Sequence, residues 1–302
     1  MSRVLTAMPA AILALAVLSG CGGNSAPGAP AAEKASATAD SQAKRHQIES
    51  VRADCMKQKG FTYIAFVPAP HKIGEEERKR DSGDYTAMKK WREKNGYGVF
   101  AFYVYPQEYA NPMVEPEGGI PEDPNPNNKI QMSFSDTQRE AYNGADRTCY
   151  QRAVKDATGK KIDSVDDYYE QANARSEQLA TRELDGDPRL VELTVSMGNC
   201  LKNKGYPIGS TKPSALADRG RLKFEAEKKP LGERIPESML KKMDMPEGAR
   251  WEPNLTADQA RPYLAREIKD ALDDLKCGKD FYPAFTPGQI EVQQRAYQEF
   301  GL

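Results

Sequence analysis

Apolar residues recur every three or four positions along much of the chain, the spacing of helices with one face against a core. Leu190, Leu193, Met197 and Cys200 step by three, four and three, and Ile48, Val51 and Cys55 by three and four. Each run closes on a similar phrase, Cys55-Met-Lys-Gln-Lys-Gly-Phe61 and Cys200-Leu-Lys-Asn-Lys-Gly-Tyr206, identical at four of seven positions. Asp187 and Pro188 suit the start of the second helix, and Gly205 suits a left-handed stop. A second pair of segments follows in the same order: Phe134-Ser-Asp-Thr-Gln-Arg-Glu-Ala-Tyr142 and Leu255-Thr-Ala-Asp-Gln-Ala-Arg-Pro-Tyr263. Ser135 and Thr256 are natural N-caps there. Tyr142 lies seven residues before Cys149 and Tyr263 fourteen before Cys277, so an extra heptad keeps the cysteine near the tyrosine's face. Further helical runs are expected at 84–94 around Trp91, 215–229 around Phe224, 165–182, and 287–300, where Thr286 followed by Pro287 marks a start.

Three aromatic or β-branched runs, 61–67, 99–105 and 129–134, bounded by Pro, Gly or Asn, read as strands. The stretch 114–128 is a long Pro/Gly/Asn-rich loop whose carboxylates, Glu115, Glu117, Glu122 and Asp123, lack the spacing of a Ca²⁺ loop. Two matching segments in the same order, each carrying or leading to a cysteine, imply an internal duplication. The expected fold is α+β and mainly helical. It has two similar disulfide-stapled lobes, 46–184 and 185–302, with a small sheet in the first.

The first apolar run, residues 4–18, follows Arg3 and is shorter than the about 20 residues a spanning helix needs. It closes on Leu18-Ser19-Gly20-Cys21, which resembles the lipobox of bacterial lipoprotein signal peptides. The resemblance implies a signal peptide over 1–20 and a lipid on Cys21. The segment 21–45, rich in Ala, Ser, Gly and Pro, reads as a flexible tether. Together with the Cys-Met-x-x-x-Gly-Phe helix end and Gly96-Tyr97-Gly98-Val99, the lipobox looks like that of the uncharacterised secreted lipoproteins of actinobacteria, a group with no activity to transfer. The expected location is extracytoplasmic, lipid-anchored to the cell membrane.

Composition narrows the function classes. The chain of 302 residues carries a formal charge of −1, with 39% hydrophobic and 29% charged residues. No basic stripe with interleaved aromatics occurs, so no nucleic-acid partner is expected. Of five cysteines, one is the lipid acceptor. Cys55, Cys149, Cys200 and Cys277 remain, an even number with no C-x-x-C pair, which in an exported chain reads as disulfides rather than zinc. Four cysteines allow three connectivities. The duplication selects one bridge within each half, Cys55 with Cys149 and Cys200 with Cys277.

No catalytic constellation is legible. His46 and His71 have no triad or metal motif nearby, and the chain lacks G-x-S-x-G, H-E-x-x-H, a P-loop and a dinucleotide fingerprint. The carboxylate pairs Asp166-Asp167 and Asp273-Asp274 fall in helical runs, where neighbours point apart and usually face solvent. No catalytic, cofactor or metal residue is assigned. The expectation is a non-enzymatic binding or accessory module serving an envelope transporter or cell-wall component. The alternative is an envelope hydrolase using dispersed carboxylates.

Overall fold

A computed structural model describes residues 31–70, 72–119, 123–242 and 247–302. The segment expected to be a signal peptide, Cys21, the start of the expected tether, His71 and Glu122 lie outside the described residues. In chain order the helices are α1 (Ala31–Gln58), α2 (Glu75–Asp81), α3 (Tyr85–Asn95), α4 (Ala101–Val104), α5 (Pro126–Met132), α6 (Asp136–Thr158), α7 (Val165–Glu183), α8 (Pro188–Asn203), α9 (Pro213–Lys228), α10 (Glu237–Lys242), α11 (Ala257–Cys277) and α12 (Phe281–Phe300).

Local chemistry explains many of the boundaries. Ser135 and Thr256 each form a full capping box, with Gln138 and Gln259 reaching back to the cap N–H at 3.0 and 2.9 Å. The Asp187 carboxylate accepts from Arg189 N and Leu190 N at 2.8 and 3.0 Å. The two Lys-Gly-aromatic ends close identically. Gly60 and Gly205 sit at φ +85° and +87°, and Phe61 N and Tyr206 N reach back to the Met56 and Leu201 carbonyls at 3.0 Å each.

The α+β expectation is overturned: among the described residues there is no strand, only an isolated bridge between Arg234 and Arg250. Each expected strand fails for its own reason. Segment 61–67 is neither helix nor strand, and no neighbouring strand pairs with it. The buried Asn127 side chain takes that place, accepting from Ile64 N and donating to Ile64 O at 2.8 Å each. In 99–105 burial does not alternate as it would in a half-buried strand: Val99, Phe100, Ala101, Tyr103 and Val104 are all in the core, Phe102 and Tyr105 are partly buried, and part of the run coils into α4. The start of 129–134 belongs to α5, which Asn125 caps and Pro126 opens.

Two helices start earlier than expected. α1 begins at Ala31, inside the segment read as tether. Its later part is bound to the body: Lys44 Nζ donates to the Gln298 carbonyl and Arg45 Nε to the Gly301 carbonyl, both at 3.1 Å. α12 begins at Phe281 and passes through Pro287, which lacks the N–H that would bond the Pro283 carbonyl.

Packing crosses the boundary at 184/185. α1 pairs with α6, but α7 packs on α12, and α3 and α4 pack on α11. One core cluster joins Met88 and Leu179 to Leu201, Leu216, Leu275 and Phe285. Another joins Phe100 and Tyr103 to Phe224 and Leu264.

Candidate functional site

The site is built on α11. Ala260, Leu264, Glu267, Ala271 and Asp274 step by four, three, four and three, and all are buried. Two acids therefore occupy the core-facing stripe of the helix. Asp270 is also buried beside them.

Glu267 is 0% exposed and accepts the N–H groups of Tyr97 at 2.7 Å, Val99 at 2.9 Å and Phe100 at 2.9 Å. Gly96 and Gly98, at φ +61° and +98°, let the loop curl around the carboxylate. A Cβ at Gly96 would lie 2.7 Å from Glu267 Cγ. The Gly96-Tyr-Gly-Val99 motif thus has a structural task. Burial pushes the Glu267 carboxyl up, against the downward pull of these N–H groups, and burial wins.

Asp274, also 0% exposed, accepts from Arg92 Nη1 at 2.7 Å, from Tyr282 Oη, and from Arg219 Nη2 at 3.4 Å. Asp270 accepts from Arg219, from Lys223 Nζ at 2.9 Å and from Tyr97 Oη at 2.8 Å. Burial would raise the Asp270 carboxyl, but bonds to Arg219 and Lys223 hold it below the usual carboxylate range. Burial and the neighbouring carboxylates push the Tyr97 phenol well up. The Arg92 guanidinium lies 4.5 Å from the Tyr282 ring centroid and 5.5 Å from that of Tyr97. Tyr97 can cross α9 only because residue 220 is glycine: a Cβ there would enter its ring.

Above this network opens a cleft of about 300 Å³. Arg92, Tyr97 and Tyr282 line its base. Met88 and Trp91 of α3 form one wall, Ala217 and Arg221 of α9 the other, and Arg80 and Thr286 reach it from α2 and α12. Arg80 stands over Trp91, 5.5 Å from the ring centroid.

A second polar cluster lies beside the first disulfide. Arg52 grips Asp146 with two bonds of 2.7 Å and sits between the rings of Tyr63 and Tyr150, at 4.7 and 4.9 Å. Tyr63 Oη donates to Glu49 at 2.6 Å. Asp146 and Asp274 each lie three residues before a bridged cysteine, and each binds an arginine.

Both expected bridges are present, Cys55–Cys149 and Cys200–Cys277, each with Cα atoms 5.5 Å apart. Tyr142 packs against Phe61 and Phe134, whereas Tyr263 stacks on Phe100, so the two parallel tyrosines serve different cores. His46 is exposed on α1. Asp123 caps its own loop by accepting from Asn125 N at 2.7 Å. Among the described residues no group of three or more His, Cys, Asp or Glu side chains could hold a metal ion. Asp274 corrects the expectation that adjacent carboxylates both face solvent. Asp273 does stay near the surface, held by Lys204 at 2.6 Å and Tyr206 at 2.8 Å, while Asp274 turns inward.

The buried network and the cleft were missed in the sequence. Their signal was there: acids at helical spacing within an apolar stripe. No protein-family model, curated protein or solved structure matches the chain. Among the described residues no helix is long and apolar enough to cross a membrane.

Proposed function

We propose that the protein is a membrane-tethered, extracytoplasmic binding module, anchored by lipid on Cys21, that presents its cleft to a cell-wall component or an envelope transporter. The observation that carries this reading is the commitment of the carboxylates. Asp270 and Asp274 beneath the cleft are held by arginine, lysine and tyrosine, and the rim acids Asp81 and Asp218 bond Arg80 and Arg221. Hydrolysis by paired carboxylates needs one acid free to protonate a leaving group and a second free to attack or to activate water. Two disulfides suit an oxidising compartment, which agrees with export.

Two measurements test the reading. Wild-type protein should incorporate labelled fatty acid and sediment with membranes, and Cys21→Ala should do neither. Retention of the variant on membranes removes the anchor. Soluble Cys21→Ala protein, incubated with purified cell wall, should be depleted from solution without releasing reducing ends. Release of reducing ends would favour the hydrolase alternative.

A further inference from the structure

We propose that the cleft between α3, α9 and α12 takes one residue of a neutral sugar, its C–H face against Met88 and Trp91 and its hydroxyls bonded by the polar rim. This rests on the binding-module reading and names the ligand's chemical class.

Charge comes first. Every charged side chain that lines the cleft has a partner of opposite sign. Arg80 bonds Asp81 at 3.2 Å, Arg221 bonds Asp218 at 3.2 and 3.0 Å, and Arg92 bonds Asp274 at 2.7 Å. An anion seated on Arg92 would compete with Asp274, which is 0% exposed, and would strand a buried carboxylate. A cation seated on Asp81 or Asp218 would compete with a guanidinium already in place. A ligand without net charge disturbs none of these pairs.

The bonding groups then choose among neutral ligands. Arg221 gives Nε and Nη2 to Asp218, which leaves Nη1 without a partner among the described residues. Each Asp218 oxygen accepts one of those bonds and keeps a further lone pair. Thr286 and Gln289 of α12 add a hydroxyl and an amide, groups that both donate and accept. A ligand rich in hydroxyls meets donors and acceptors together, because each hydroxyl is both. Bonds to the charged rim groups are the stronger ones. Beside this polar rim stand Met88 and the half-buried Trp91, an apolar wall. A sugar ring has the matching division, apolar on its C–H face and polar around its edge. A volume of about 300 Å³ falls at the small end of ligand sites, room for one such ring.

The experiment uses full-chain Cys21→Ala protein carrying Trp251→Phe and labelled with 5-fluorotryptophan. Trp91 is then the one reporter, since the chain has two tryptophans. Methyl glucoside, methyl mannoside, methyl galactoside and N-acetylglucosamine are titrated by ¹⁹F NMR. Glucuronate and protonated glucosamine carry charge on the same ring, and cyclohexanol keeps a ring with a single hydroxyl. A saturable shift of the Trp91 signal is expected for at least one neutral sugar, with the charged sugars and cyclohexanol about tenfold weaker or more. A trimer of the responding sugar separates the sources: tighter binding assigns the cleft to a chain, equal binding to a single or terminal residue. Thr286→Met, which fills the cleft without changing charge, should abolish the shift. Asp218→Asn, which leaves Arg221 unpaired, should move the preference toward glucuronate about tenfold. A charged sugar that binds the wild type as well as the neutral ones, or a preference unmoved by Asp218→Asn, overturns the neutral-ligand inference. Equal binding of cyclohexanol overturns the sugar. A response unchanged by Thr286→Met overturns the site. Silence to every compound, while the protein still partitions onto cell wall, overturns the inference and spares the broader reading. Silence in both assays overturns both.

Discussion

Glu267 offers two oxygens to at least three N–H donors, and a glutamine there would turn an NH₂ toward one of them. Glu267→Gln removes the cost of burying a charge yet leaves a donor facing a donor. It should destabilise the fold by about 1–3 kcal/mol, read from urea unfolding. A stabilised variant would mean that charge burial outweighs the N–H bonds. Asp273 gives the pH dependence. Bonded first by Lys204 and then by Tyr206 and Lys269, its carboxyl is pulled down to about 2. A depressed folded-state value contributes stability above the unfolded value, near pH 4, and that contribution is lost as pH falls from about 4 toward 2. Lys204→Met should move the Asp273 NMR titration upward and reduce the acid sensitivity of unfolding in that window. An unmoved titration would assign the shift to Tyr206 and Lys269. At this scale the caps and left-handed stops were legible, because Ser135, Thr256, Asp187 and Gly205 act on their own helices. The acids of α11 were not, because whether an acid in an apolar stripe is buried depends on the partners that fold onto it. Arg92 arrives from 182 positions away and Tyr97 from 173.

Helix positions were largely legible and strands were not, for one reason. A helix satisfies its own backbone, so capping and periodicity suffice to define it, whereas a strand exists only if a neighbour pairs with it. The 61–67 segment has strand composition, but Asn127 supplies its pairing. The bridges were legible because a repeated phrase placed each cysteine at a comparable point. Their surroundings differ: Cys55 and Cys149 are buried at 6% and 0%, while Cys200 and Cys277 are half-buried. Graded reduction should therefore open Cys200–Cys277 first, followed by mass mapping of alkylated peptides. Replacing Cys200 and Cys277 by serine should cost up to about 4 kcal/mol, the chain-entropy value for a loop of this length. Prior labelling of Cys55 and Cys149 would reverse the order.

Across the whole molecule the halves interlock. Local periodicity says that a helix has an apolar face but not what covers it, so the packing of α3 and α4 on α11, and of α7 on α12, could not be read from the repeat. Met88 and Leu179 lie in the same core as Leu201, Leu275 and Phe285. Phe100 and Tyr103 lie with Phe224 and Leu264. The 185–302 half alone would expose the surfaces that α3, α4 and α7 cover, Glu267 would lose the loop that satisfies it, and Asp274 would lose Arg92 while keeping Tyr282 and Arg219. A buried carboxylate stripped of its partners costs several kcal/mol, comparable with the whole stability of a small domain, about 5–15 kcal/mol. The full chain should therefore melt in one calorimetric transition. Expressed separately, 46–184 and 185–302 should each lack sharp side-chain NMR dispersion and should recover it when refolded together from the reduced state under oxidising conditions. Two resolved transitions, or a cooperatively folded 185–302 fragment, would show that each half closes its own core and that the contacts across 184/185 add little to stability.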